Sequence, residues 1–258
     1  MPVAKSAGDG SITVDEIRTE LLELSILGTS PLIMNRLSEK AKHELLLPAG
    51  RKTAADKQAS LKHDPLEEFR ASPYTITDED APTLLAQMSS AFKAAVMTAA
   101  LDLPGTKRTQ IGRLLWVHDR YTSIYGVPEI FSSITRSADI NRTPDVRTRA
   151  VVPTWAATVV VEFAVPLLNT RSVINLFAAA GKIAGIGDWR PEKGKGNYGQ
   201  FRLVDPDNDT FQSIIASGGR EAQVAAMADP VAFDAETEEL LAWFETEAYA
   251  RGKLRRVA

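Results

Sequence analysis

The chain has 258 residues, of which 44% are hydrophobic and 24% charged, with a net charge of −3; this is the make-up of an ordinary globular protein with room for one elaborated domain or two small ones. Cysteine is absent, which excludes a disulfide scaffold, thiol nucleophiles and thiolate metal sites and suits a reducing, cytoplasmic setting. No apolar run reaches about 18 residues, so no membrane span is expected, and the opening MPVAKSAGDGS lacks the apolar stretch of a secretory signal.

Residues 1–17 are polar and aperiodic and are expected to form a disordered tail. Arg18–Gly28 alternates Leu22, Leu24 and Ile26 with polar neighbours, the pattern of a strand. Asn35–Leu47 is a short helix candidate with Ser38 as a plausible N-cap. Residues 48–65 show no apolar period and are expected to be an exposed insertion, and Pro65–Ser72 adds a helical turn. Leu84–Leu101 is the clearest helix: Leu85, Met88, Phe92, Val96 and Ala99 fall on one face of a 3.6-residue period. The acidic run Asp78, Glu79 and Asp80 is expected to precede it.

Leu114–Tyr125 and Glu129–Thr135 are strand-like and split by Gly126-Val-Pro128. Residues 136–149 are polar and basic. Ala150–Val165 is a long strand region with a break expected near Pro153; Trp155, Ala157, Val159, Val161 and Phe163 share a face. Thr170–Ala180 is a helix with Val173, Leu176, Phe177 and Ala180 as its stripe. Gln200–Val204 is a strand, and Thr210–Ile215 and Asp234–Tyr249 are helical.

Two features go beyond packing. The first is residues 180–203, AGKIAGIGDWRPEKGKGNYGQFRL, with six glycines interleaved with Trp189, Arg190, Lys193, Lys195 and Tyr198. Glycines let a backbone take positive φ and approach a ligand closely, and cations with aromatics on such a loop suit phosphates and flat bases. The order helix, glycine loop, strand is the reverse of a dinucleotide fingerprint, and a P-loop spacing is absent. The second is the distribution of charge. Residues 105–202 carry 14 Lys/Arg against 7 Asp/Glu, whereas 203–250 carry 1 against 11. A basic stretch followed by an acidic one suggests a ligand-facing surface and an opposing one. Arg136, Arg142, Arg147 and Arg149 in the basic stretch are candidates for phosphate contacts. Trp189 and Tyr198 suit base stacking, with packing of Trp189 onto the core as the equal alternative.

The strongest elements run β-α-β-β-α-β. The expected class is α+β, a ferredoxin-like (RRM-like) antiparallel sheet with helical and hairpin insertions. The domain would span 18–205 with insertions near 35–80 and 130–150, followed by an acidic helical extension at 206–258. In this order the chain resembles the RAMP superfamily, specifically the backbone subunits of CRISPR effector complexes. The resemblance is carried by the first strand running through Gly-Thr-Ser-Pro into a helical insertion (24–42), by the helix start Met-Ser-Ser-Ala-Phe-Lys-Ala-Ala-Val (88–96), and by the glycine-rich loop (181–201). The Gly-Ile-Gly-Asp-Trp-Arg-Pro stretch is also similar to uncharacterised phage-encoded proteins.

The resemblance implies a basic groove over the sheet, a contact through Lys93, and a thumb-like hairpin from 130–150 that wedges between nucleotides. Arg36 and Lys40 in the helical insertion join the candidate set. RNA-cleaving relatives carry an aspartate in the loop after the first strand. This chain has none between Leu27 and Ala55, and Asn35 lies near that position. The expected function is therefore non-catalytic binding of single-stranded RNA or ssDNA, with other copies of the chain lining up along the strand and other effector subunits as further partners. No cofactor or metal is expected: His43, His63 and His118 lack zinc spacing, and Asp205, Asp207 and Asp209 lack the rest of a calcium loop. Two alternatives stand beside this reading. One is a metal-dependent nuclease using Asp78, Asp80 or Asp139, and the other is a phage structural or recombination protein.

Overall fold

The computed structural model describes residues 16–36, 46, 63–136, 144–193 and 196–250. The main sheet is built from β1 (Arg18–Gly28), β5 (Leu115–Val117), β9 (Ala156–Val165) and β10 (Phe201–Val204), in the spatial order β10-β1-β9-β5 with every neighbour antiparallel. Two helices join these strands, α2 (Ser89–Ala99) between β1 and β5 and α4 (Thr170–Ile183) between β9 and β10. Numbering only the four sheet strands in chain order, this is 4-1-3-2, the ferredoxin-like arrangement, and the fold is α+β as expected.

The long central pair sets the frame. β1 and β9 run in register from Arg18 opposite Val165 to Leu27 opposite Ala156. Alternation puts Leu24 and Ile26 of β1 and Ala157, Val159, Val161 and Phe163 of β9 into the core. Phe92 and Val96 of α2 and Val173, Leu176 and Phe177 of α4 pack in the same cluster, with Phe92 and Phe201 meeting edge to face at 6.0 Å. Trp155 is fully buried and donates its indole N–H to the Ser30 carbonyl at 2.9 Å, pinning the turn after β1.

Both connections carry inserted structure. Between β1 and α2 lie β2 (Leu32–Ile33), α1 (Pro65–Ala71), β3 (Tyr74–Thr75) and β4 (Leu85–Met88). Between β5 and β9 lie β6 (Tyr121–Ser123) and the hairpin β7 (Glu129–Arg136) and β8 (Pro144–Val152), after α3 (Arg108–Leu114) has led into β5. They form two small sheets, β2-β8-β7 and β3-β4-β6. The C-terminal helices are α5 (Asp209–Ser217), α6 (Arg220–Ala228) and α7 (Ala235–Ala250). They are tied to the inserted sheets. Fully buried Gln223 accepts from the N–H of Leu84 and Leu85 and donates to the carbonyls of Ile124, Gly126 and Gly218. Thr237 Oγ1 accepts from the N–H of Ser132 in β7.

Three sequence expectations are corrected. The helix read as 84–101 begins only at Ser89, because Leu85–Met88 is hydrogen-bonded on both edges, to β3 and to β6. The acidic run at 78–80 consequently precedes a strand; Asp78 Oδ1 accepts from the N–H of Asp80, closing a turn. The segment read as one strand over 114–125 is two, β5 and β6, in different sheets. The break is at Asp119, which takes φ 61°. The helix candidate at 35–47 lies almost wholly outside the described residues.

Candidate nucleic-acid interface

The glycine-rich loop is a folded element. Gly185, Gly187 and Gly199 take φ of 67°, 79° and 67°, the region that favours glycine. At Gly187 the requirement is also steric, since a Cβ would sit 2.6 Å from the Ile33 carbonyl oxygen. This close approach lets the loop hydrogen-bond along the chain after β1: Asp188 N–H to Ile33 O at 3.0 Å, and Gly199 N–H to Pro31 O at 2.8 Å. The loop thus extends the β2-β8-β7 sheet through an antiparallel bridge between Ile33 and Asp188.

On one side of the loop lies the hairpin face that carries Phe131, Ser133, Arg147 and Arg149, paired in register as Phe131 with Arg149 and Ser133 with Arg147. Arg149 is held by Asp188 at 3.1 Å. Burial lowers the pKa of its guanidinium and nearby Arg147 lowers it further, with Asp188 and Glu68 acting in the opposite direction. Arg147, two residues earlier on the same face, is less enclosed and has no carboxylate partner of its own at this distance among the described residues. Phe131 gathers the aromatics: Trp189 packs edge-on at 6.2 Å, Tyr198 at 6.4 Å and Phe233 at 5.5 Å. Trp189, at φ 50°, keeps 37% of its surface open, so it packs the loop down and still presents part of its ring to solvent.

On the other side of the loop lies a groove of about 270 Å³ against α2, with Asn35, Tyr74, Gln87, Ser90, Gly185 and Arg190 among its walls. No side chain caps α2. The N–H of Ser89 is taken by the Arg120 carbonyl, and Ser90 and Ala91 of the first turn line the groove. Uncapped N–H groups at a helix start favour an anion such as phosphate. Arg190 is positioned at the rim by the Gly187 carbonyl at 2.8 Å and by two contacts of 2.7 Å to Glu192. Glu192 in turn accepts from Thr98 of α2 at 3.2 Å.

The candidate residues therefore gather in part. Arg147, Arg149, Trp189, Arg190 and Tyr198 flank the loop. Lys93 sits half-buried one turn into α2, and Lys193 is exposed in the 3-10 turn Pro191–Lys193. Arg36 follows the Ile33–Asn35 stretch that both sides share, and its N–H bonds the Ser72 carbonyl. Arg136 ends β7, and Lys40, Arg142 and Lys195 lie outside the described residues. Two groove residues give no sequence signal, Tyr74 and Gln87. Each sits on a very short strand whose place in the sheet depends on long-range pairing.

Among the described residues no group of three or more His, Cys, Asp or Glu could hold a metal ion. Asp139 lies outside them. His63 bridges Glu68 at 2.6 Å and Asp145 at 3.0 Å, fastening α1 to β8, and His118 bonds Glu162 at 2.9 Å beside β5. No helix among the described residues is long and apolar enough to cross a membrane.

No family model matches the chain, and no curated protein does. Two solved structures illustrate its likeness in fold. One is a chain of the type III-B Cmr-beta complex bound to cognate target RNA, at 12% identity and TM-score 0.39, over 72% of this chain and 59% of that one. The other is Cmr6 from Pyrococcus furiosus, at 9% identity and TM-score 0.37, over 72% of this chain and 98% of that one. This chain thus spans about 59% of the length of the Cmr-beta chain it matches. Both are CRISPR RAMP-type subunits, the group to which the sequence resemblance pointed. The ferredoxin-like assignment itself rests on the strand order of this chain.

Proposed function

We propose that the protein is a non-catalytic binder of single-stranded nucleic acid, RNA or ssDNA, of the RAMP backbone type, which lines up copies of itself along the strand. The observation that supports this best is the convergence on one loop of three kinds of group. The first turn of α2 offers backbone N–H groups for a phosphate, Arg147 and Arg190 offer cations on either side, and Trp189 and Tyr198 offer ring faces. Such a combination of backbone donors, cations and stacking surfaces suits a single strand bound through its backbone.

The basic 105–202 stretch and the acidic 203–250 stretch supply complementary surfaces for a head-to-tail contact between copies, a heterologous contact that makes filaments or rings. Effector subunits are the further partners in this reading. The absence of an aspartate after β1 speaks for binding without cleavage.

The test is a fluorescence-anisotropy titration of a labelled strand of roughly 15 nucleotides over a series of salt concentrations, with magnesium present and the products run on a gel. Salt-sensitive binding of an intact strand supports the reading. Metal-dependent products that disappear on Asp78→Ala, Asp80→Ala or Asp139→Ala would point to the nuclease instead.

A further inference from the structure

We infer that the groove between α2 and the glycine loop takes one base of the bound strand, extruded from the stack and held by the amide of Gln87. This rests on the single-strand binding proposed above and goes beyond it, because backbone contacts alone are indifferent to whether a base is present.

Gln87 is the observation that carries it. The residue is 8% exposed, and its backbone is fixed in β4 opposite Thr122 of β6. Its side-chain amide nevertheless makes no hydrogen bond among the described residues, and it lines the groove. Gln223 is the internal contrast: also buried, it fills its amide with five backbone partners. Among the described residues no fully enclosed side-chain polar atom lacks a partner, so the small exposure Gln87 retains is where its amide meets the groove. A largely buried amide without protein partners is costly, and a fold that keeps one has a reason outside its own packing. Here the amide can be satisfied only from the groove.

The groove's chemistry narrows the ligand. A glutamine amide presents one donor and one acceptor side by side, the complement of the donor-acceptor pairs on the pairing edge of a nucleobase. Tyr74 gives the groove a flat wall and is itself backed by Tyr121, whose ring centroid lies 5.8 Å away. Opposite, the backbones of Gly185 and Gly187 leave room where side chains would stand. Next to Gln87 in the chain, Ser90 and Ala91 offer the helix-start N–H groups for the phosphate of the same nucleotide. An extruded base read on its pairing edge beside an aromatic wall is an arrangement that nucleic-acid enzymes also use. Because an amide can turn over to suit either donor-acceptor order, the pocket tolerates different bases while requiring one.

The test compares the full chain binding two labelled strands of the same length, one ordinary RNA and one with abasic ribose residues. The wild-type protein is expected to prefer the base-bearing strand by about tenfold, the scale of one well-held base. Gln87→Leu keeps the volume and removes the hydrogen bonds. It is expected to bring that preference to about twofold or less, to leave affinity for the abasic strand unchanged, and to leave the melting temperature unchanged or raised, since the amide supports nothing in the fold. Tyr74→Leu, an independent variant that removes the wall, is expected to narrow the preference in the same direction. A preference unchanged in both variants overturns the inference. So does equal loss on both strands, which would assign Gln87 to the ribose hydroxyl or phosphate. If the wild-type protein binds the two strands equally, the base pocket fails and backbone binding stands; if it binds neither, the proposed function fails with it.

Discussion

Arg149 and Asp188 lie 3.1 Å apart and join the β7–β8 hairpin to the glycine loop. Their side chains are 17% and 25% exposed, so the pair is largely withdrawn from water. Removing one partner leaves the other partly buried and uncompensated. Arg149→Met is expected to lower stability by about 1–3 kcal/mol, and Arg149→Met with Asp188→Leu to recover much of that loss. Urea denaturation of the two variants, analysed as a double-mutant cycle with Asp188→Leu, measures it.

Arg147, two residues away on the same face, predicts the opposite outcome. Arg147→Ala should change stability by no more than about 0.5 kcal/mol. It should weaken binding of a single strand and reduce the slope of log K against log salt by about 0.7 for each phosphate it no longer neutralises. An unchanged slope would remove the hairpin face from the interface.

Gly187 is where the loop is most constrained, with φ of 79° and the Ile33 carbonyl 2.6 Å from where a Cβ would stand. Gly187→Ala should cost about 1–3 kcal/mol through the left-handed backbone and the forced separation from β2. Thermal denaturation checks it, and a variant as stable as wild type would show that the loop is not seated on β2.

Glu192 gives a pH signature. Its burial raises the carboxyl pKa, but the hydrogen bond and charge of Arg190, with Thr98 and Lys193, outweigh this and hold it below its ordinary value. A carboxylate depressed in the folded state contributes stability above its unfolded pKa, about 4.3, and loses it as pH falls through the folded value. Melting temperature should therefore drop more steeply between about pH 5 and pH 3 in the wild type than in Glu192→Gln. Parallel curves for the two proteins would show that the tie contributes nothing.

Much of the frame is legible in the sequence because its elements are long and periodic. β1, β9 and α4 carry apolar alternations or stripes that only one secondary structure satisfies, and their order already spells the sheet. The start of α2 is not legible: Leu85, Met88 and Phe92 continue the helical spacing, and only pairing with β3 and β6 holds the first of them in a strand. α6 escapes a sequence reading because its buried face centres on a glutamine. On the interface, the glycines mark where the backbone turns. They do not reveal that Arg149 is committed to Asp188 or that Trp189 lies edge-on to Phe131, since both depend on a hairpin brought from more than about thirty residues away. Gln87 gives no signal at all, because an unpaired amide is visible only once its neighbours are in place.

The central claim, that this loop is a single-strand interface, is tested most directly by titrating a labelled strand of roughly 15 nucleotides with the wild-type protein and with Arg147→Ala/Arg190→Ala at low and moderate salt. The account predicts salt-sensitive binding by the wild type. It also predicts at least about a tenfold weaker affinity in the double variant at low salt, with a flatter salt dependence. Wild-type protein that binds no strand at low salt, or a double variant that binds as tightly as wild type, would contradict it.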